Sequence, residues 1–525
     1  MGRMHGDLKD FISGEGFVNP PGLTEAPAAT SPAMTGTVET PAPSPKPEQV
    51  FKFGHMFKQE PDLQGLIKLG RAMTRGPEPE DNSDLPAGYT YLIQFIAHDL
   101  SFAQINGVSP GAMAAANITG GRSPSLDLDC LYDTGLAKED LYKDKDGRLK
   151  LGPTTGTMLD QAQAVYENDL PGRGTNKENP RLALIADPRN DDNLAVAQTH
   201  VAFAKFHNAV TDLLADQGLS GSKLFEAARK KVVRHYQWIV LKDFLPRIID
   251  ETVLDDVFRG LKFFTQEAKG RPFMPVEFSF AAFRLGHSMV GASYEWNRIF
   301  HSPKRDEYKD AAKLRQLFDL TGANGTMDGT YPTLPTRWLI DWTRFYDFPD
   351  MGRAANRAKK IGTRLTAALD DVFSIMTDIP KEYRSLPVLD LIRGAKLGLP
   401  TGQEAAYTMN ASWRLSPGDI AQGPHAGILK DHGFDQRTPL WYYILREAEF
   451  YDGKRLGPVG GRIVAETFIG ILRASDYSIL RKKDWQPDLG HTPGTFSMTD
   501  LLLFVREHSS QKNVDELNPL GSDKP

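Results

Sequence analysis

The amino-acid sequence predicts a mainly α-helical fold, a single large helical domain with little β structure. Apolar residues recur at spacings of three and four over long stretches that lack internal Gly and Pro. Runs alternating with period two are few and short. No self-similarity at a spacing of roughly 20–50 residues points to a solenoid or propeller.

Taken in order, residues 1–50 form a predicted disordered arm. Positions 19–48 are dense in Pro, Ala, Thr and Ser and nearly devoid of aromatic residues, so they bury too little apolar surface to offset the entropy of ordering. The domain is expected over 51–508, followed by a polar C-terminal tail at 509–525. Within the domain, helices are expected over 194–214, 222–246 (stopping at Pro246), 357–376 and 461–474, each with an apolar stripe of helical period.

Of 525 residues, 40% are hydrophobic and 25% charged, the balance of an ordinary globular chain. The formal net charge is −5 with both signs interspersed, so no basic field invites nucleic acid. The single Cys130 excludes an internal disulfide. No stretch approaches the roughly 18 consecutive apolar residues of a membrane span. The opening residues lack the apolar run of a secretory signal, which leads to an expectation of cytoplasmic residence or leaderless export.

Four segments carry chemistry-bearing residues. The helix expected over 90–103 (TYLIQFIAHDLSFA) is mostly apolar, yet holds Gln94, His98 and Asp99. Gln94 and His98 lie four apart on one face, and Asp99 is turned about 100° away. In 121–133 (GRSPSLDLDCLYD), Ser123, Ser125, Asp127 and Asp129 alternate, placing oxygen-bearing groups on one side of an extended loop. Hard cations such as calcium require such ligands, although a solvated acidic loop reads the same way. Residues 186–193 (ADPRNDDN) hold Arg189 among acids, with Asp191, Asp192 or Asn193 available to cap the helix that follows. In 281–290 (AAFRLGHSMV), Arg284 and His287 stand three apart, and Gly286 permits close approach by a flat ligand or another backbone.

In this order the segments resemble the animal-type haem peroxidases of the peroxidase–cyclooxygenase superfamily. QFIAHDL is similar to the distal-histidine signature, SPSLDLDCLYD to the calcium loop, DPRNDD to the loop of the distal arginine, and FRLGH to the proximal-histidine motif. LPVLDLIRGAKLGLP (386–400) resembles the stretch that supplies the proximal histidine's partner, and GPVGGRIVAETFIGILR (457–473) the late helix. The resemblance runs from about residue 50 to 505.

The resemblance implies haem b with His287 as axial ligand and His98 as acid–base catalyst. Arg189 would stabilise developing charge and Gln94 would hold distal water. Asp99 would join Ser123, Ser125, Asp127 and Asp129 around Ca2+. Ala97 replaces the acid that often carries an ester to haem, and Asp192 stands where the family commonly has Glu, so the haem is expected to be non-covalent or singly ester-linked. Asp390 stands where Asn is usual. As His287's partner it would favour ferric iron; the alternative is that it caps or pairs with nearby Arg393. Arg284 takes the position of the catalytic Tyr of fatty-acid oxygenases and suits a haem propionate instead.

These expectations describe a peroxidase that reduces H2O2 while oxidising small aromatic donors or halides. A haem-dependent fatty-acid dioxygenase and a haem-less helical interaction protein are the alternatives. His200 and His207 share a helix face and read as packing or hydrogen-bonding groups, and Cys130 as a small buried residue.

Overall fold

In a computed structural model of the chain, the described residues are 62–521 apart from 102, 106–117, 121–124, 133–143, 145, 157–164, 176–179, 265–273, 303–309, 323–324, 326, 328–330, 373–382, 476, 483 and 512–513. The predicted N-terminal arm, residues 51–61 of the expected domain and Ser123 therefore lie outside them.

The fold is mainly α. The principal helices are α1 (Leu63–Met73), α2 (Gly88–Leu100), α3 (Leu194–Asp216), α4 (Gly221–Trp238), α5 (Leu386–Lys396), α6 (Leu440–Phe450), α7 (Pro458–Ala474) and α8 (Met498–Glu507). Among the described residues, the β structure consists of four antiparallel two-stranded pairs. Among the described residues, no helix is long and apolar enough to cross a membrane.

Local sequence explains how the main helices begin. Asp62 caps α1 by accepting from the Gly65 N–H at 2.8 Å, and Leu66, Leu69 and Met73 then bury one stripe. α1 lies against α5 so closely that a Cβ on Gly70 would come within 2.7 Å of the Val388 backbone. Asn193, rather than Asp191 or Asp192, caps α3 by accepting from the Val196 N–H at 3.0 Å. α3 is buried on nearly all sides as far as Thr211, because α2, α4 and α8 all pack on it.

The expected helices over 194–214 and 461–474 fall within α3 and α7. The other two need correction. Pro246 does not stop the helix that starts at 221. The chain passes through a π-helical stretch, Ile239–Phe244, into a further short helix, Leu245–Ile248, with Pro246 in its first turn. A first-turn proline loses no intrahelical hydrogen bond. The described part of 357–376, which ends at Val372, is not one helix either. Arg357–Lys359 pairs with Asp81–Pro86, and only Ala367–Asp371 is helical, as a 3-10 turn. Backbone pairing with a remote segment has overridden local periodicity there.

The polar stretch from 509 does not all lie outside the packed domain. Glu516 is buried and accepts from Lys205 on α3 at 2.5 Å, while the Leu517 carbonyl accepts from the Trp342 N–H at 2.8 Å. The limit expected at 508 is therefore too early. A buried lysine on α3 requires a carboxylate, and the chain after α8 supplies it.

A candidate active site joining His98 and His287

α2 is the most deeply buried of the site-bearing elements. Gln94 and Ala97 are its only half-buried residues, and both line a cavity with about 1260 Å³ of empty space, its solvent mouth included. Thr90, Gln94, Ala97 and Ser101 follow one another at helical spacing along the wall. His98 borders the same space from an adjoining face. The helix is positioned by tight contact at its start, where a Cβ on Gly88 would come within 2.4 Å of the Tyr346 ring.

Arg189 comes from the 3-10 turn Pro188–Asp191, which Asp187 caps. Its guanidinium makes two bonds to the Asp187 carboxylate, at 3.0 and 2.7 Å. It also donates to the carbonyls of His98 (2.9 Å) and Ser101 (2.7 Å). A buried cation thus closes the C-terminal end of α2, where free carbonyls and the helix dipole favour positive charge. Arg189, Asp192 and Asn193 all border the cavity. Gln94 is tied to this wall, its Oε1 accepting from Asn193 Nδ2 at 2.8 Å.

His287 sits on the 3-10 helix Ala282–Met289, whose period of three brings Arg284 and His287 into line. α2, α6 and α7 pack around this segment. A Cβ on Gly286 would come within 3.0 Å of Ile93 on α2, so this glycine admits the neighbouring helix. His287 Nδ1 lies 2.6 Å from Asp390 Oδ2, and Asp390 is 1% exposed. Burial alone would raise the Asp390 pKa, but the His287 ring, Arg284 and Arg393 together hold it below the usual carboxylate value.

Arg284 borders the cavity beside His287. Its Nη1 lies 3.5 Å from Asp390 and its Nε donates to the Ser279 carbonyl at 3.1 Å. A fully buried carboxylate draws the nearest guanidinium to itself. Arg393 is buried with its guanidinium over the Phe280 ring at 5.3 Å, and its charge acts on Asp390.

The expected calcium residues are only partly in view. Asp99 is fully buried, and the Leu128 N–H and Tyr236 hydroxyl turned toward its carboxylate make only loose contacts with it. Burial raises its pKa well above the usual value, and the charges of Asp127 and Asp129 raise it further. The Tyr236 hydroxyl faces it outside hydrogen-bond geometry. Ser125 donates to Asp127 at 2.8 Å. Asp127 and Asp129 lie near enough to Asp99 for their charges to act on it, although among the described residues no three His, Cys, Asp or Glu side chains form a ready-made metal cluster.

Three contributors were not singled out from sequence. Asn190 bridges His98 and His200. Asp187 orients Arg189. Tyr91 lines the cavity and packs edge-on against Tyr294 at 5.8 Å. Both Asn190 and Asp187 lie inside the DPRNDD motif, where Asp187 meets Arg189 two residues on, whereas the His98 ring that Asn190 meets belongs to a distant segment.

The family model for the animal haem peroxidase matches residues 112–329, which include Arg189 and His287 but begin after His98. The chain is 28% identical to Peroxidase mlt-7 of Caenorhabditis elegans over 176 residues, 32% of this chain and 23% of that protein. It is 26% identical to Dual oxidase of Drosophila melanogaster over 152 residues, 29% of this chain and 9% of that one. The matched stretches thus span under a quarter of these curated relatives. Among solved structures, Peroxidase A from Dictyostelium discoideum superposes with a TM-score of 0.59 at 14% identity, covering 91% of this chain and 92% of its own. A fatty acid alpha-dioxygenase from Arabidopsis thaliana gives 0.57 at 15% identity, covering 92% and 80%. At these identities the two structures establish a shared fold.

Proposed function

We propose that this chain is a haem peroxidase of the peroxidase–cyclooxygenase superfamily that reduces H2O2 at the expense of small aromatic donors or halides, a reading supported by its likeness to the animal haem peroxidases. The observation that carries the proposal is that His98 and His287 border one cavity, with Arg189 beside the first and Asp390 bonded to the second. The cavity's lining of Ile93, Phe278, Phe283, Val290 and Leu386 with a few polar groups suits a flat, largely apolar ligand. With its Nδ1 bonded to Asp390, His287 keeps Nε2 as the nitrogen for iron. Bound haem supplies the two-electron redox chemistry that the protein's own side chains lack.

The chain's residues then have distinct tasks. His98 accepts a proton from H2O2 and returns it to the departing oxygen, which leaves as water. Arg189 holds positive charge on the same wall, where negative charge develops as the O–O bond breaks. Gln94 and Asn193 give that wall further polar groups. Aromatic donors would then supply two electrons and two protons, completing the reduction of H2O2 to two waters, whereas a halide would give two electrons and leave as hypohalite carrying the second oxygen. Ala97 offers no ester link, so haem is held non-covalently or through one ester at Asp192. The dioxygenase alternative loses support from Arg284, which is engaged with Asp390 where the oxygenase pattern calls for Tyr.

The test is an absorption spectrum of the haem-supplied protein before and after one equivalent of H2O2. A Soret band that changes as peroxide is consumed, and returns when a phenolic donor is added, is the expected result. A colourless protein, or a haem complex inert to peroxide, removes the proposal. Acid denaturation of the same sample should give free haem or a protein heavier by one haem. Two cross-links would contradict the assignment at Ala97.

We also propose that Ca2+ binds at Asp99, with Asp127, Asp129, Ser125 and Ser123. What supports this reading is Asp99, a fully buried carboxylate under the like charges of Asp127 and Asp129, a repulsion that a bound cation would relieve. At a hundredfold excess over its dissociation constant, Ca2+ should stabilise the fold by about 2.7 kcal/mol. The rise in Tm should vanish in Asp99→Asn. A wild-type melting curve indifferent to both Ca2+ and chelator excludes the site.

A further inference from the structure

We propose that Asn190 is a positioning residue that decides which nitrogen of His98 faces the cavity, holding the imidazole with its proton on Nδ1 and its lone pair on Nε2. The use made of that lone pair rests on the peroxidase reading. The tautomer itself does not.

Asn190 is fully buried at the foot of the cavity wall, and its position is fixed by the 3-10 turn, where its N–H donates to the Asp187 carbonyl at 3.0 Å. Its side chain spans three elements. Oδ1 lies 2.9 Å from His98 Nδ1. Nδ2 lies 3.1 Å from His200 Nδ1 on α3 and 3.4 Å from the Cys130 carbonyl. A buried amide between two imidazoles can in principle sit either way round, since each ring nitrogen can donate or accept. The Cys130 carbonyl removes that freedom, because it can only accept. Turning the amide over would set two oxygens against each other in a buried site and leave Nδ2 without that acceptor.

With the amide fixed, the ring states follow. Asn190 Oδ1 requires a donor, so His98 carries its proton on Nδ1. A neutral imidazole has only one such proton, which leaves Nε2 as a bare lone pair. His200 receives the amide N–H at its own Nδ1 and therefore carries its proton on Nε2. Burial lowers the pKa of His200 to about 4, Asp187 opposing only in part, so at neutral pH it remains an acceptor. The opposite tautomer of His98 would present an N–H to peroxide and could not accept its proton. Asn190 thus sets the base in its competent form before substrate arrives.

The same geometry links the acidic loop to the base. Cys130 belongs to the short helix Asp129–Tyr132, so the segment carrying Asp127 and Asp129 also holds the amide that orients His98.

The test reads the tautomer directly. Full-length chain labelled with 15N-histidine is compared without haem and loaded with diamagnetic zinc protoporphyrin, and His98 is assigned by its absence in His98→Gln. The expected spectrum has the proton on Nδ1 in the wild type and a redistribution toward Nε2 in Asn190→Ala. Haem-loaded Asn190→Ala should also react with peroxide about 10- to 100-fold more slowly while its Soret band is kept. A wild-type proton on Nε2 overturns the proposal even if the variant does not fold, and so does a tautomer unchanged by the substitution. If the tautomer behaves as stated but wild-type protein is inert to peroxide, the positioning role stands and the peroxidase reading fails.

Discussion

His98→Ala is expected to slow the reaction with H2O2 by roughly 10³-fold, within the range general acid–base groups contribute, while haem binding is retained. The separation follows from where each histidine sits. His98 is carried by α2 and held at its ring by Asn190, whereas His287 is carried by the 3-10 helix Ala282–Met289 and held by Asp390. Arg189 bonds to the backbone carbonyl of residue 98 and not to its side chain, so alanine leaves the end of α2 closed. The substitution leaves one acceptor on Asn190 unsatisfied, a cost of about 1–3 kcal/mol, which a large domain tolerates. Rapid-mixing spectroscopy measures the rate, and a static spectrum measures haem occupancy. A variant reacting within threefold of wild type would mean that some other group moves the proton.

Asp390→Asn is expected to raise the ferric/ferrous midpoint by roughly 60–120 mV and weaken haem affinity about 10- to 100-fold. The estimate takes the usual effect of losing a ligand's hydrogen-bond partner and converts it at about 59 mV per tenfold change for one electron. The cause is electrostatic. Asp390 remains charged despite complete burial because His287, Arg284 and Arg393 surround it, and its negative charge reaches the ligating ring through a 2.6 Å hydrogen bond. That gives the imidazole more anionic character, which favours the more positive iron. Asparagine keeps the shape and a hydrogen bond but removes the charge. Redox titration of the two haem-loaded proteins decides the point, and coincident midpoints would remove charge transfer through His287 as the mechanism.

α2, α3 and α7 were legible in the sequence because each buries an uninterrupted apolar pattern of helical period, and that pattern is a local property of the chain. The motifs around His98, Arg189 and His287 were legible for a related reason: their spacing within each segment fixes which residues share a face. What could not be read locally were the partners. Residues 357–359 form a strand because residues 81–86 lie beside them, and Pro246 continues a helical path because a π-helical stretch precedes it.

Within the site the same division holds. The sequence alone determined a mainly helical chain bearing two histidines, an arginine and a group of acids in a recognisable order. Only the tertiary structure decided that Arg284 turns to Asp390, that Asn190 stands between His98 and His200, and that Glu516 returns to Lys205 on α3. Each of these is a buried polar group whose desolvation must be offset by a partner. Which partner is within reach depends on how distant segments pack, and no local pattern of residues encodes that distance.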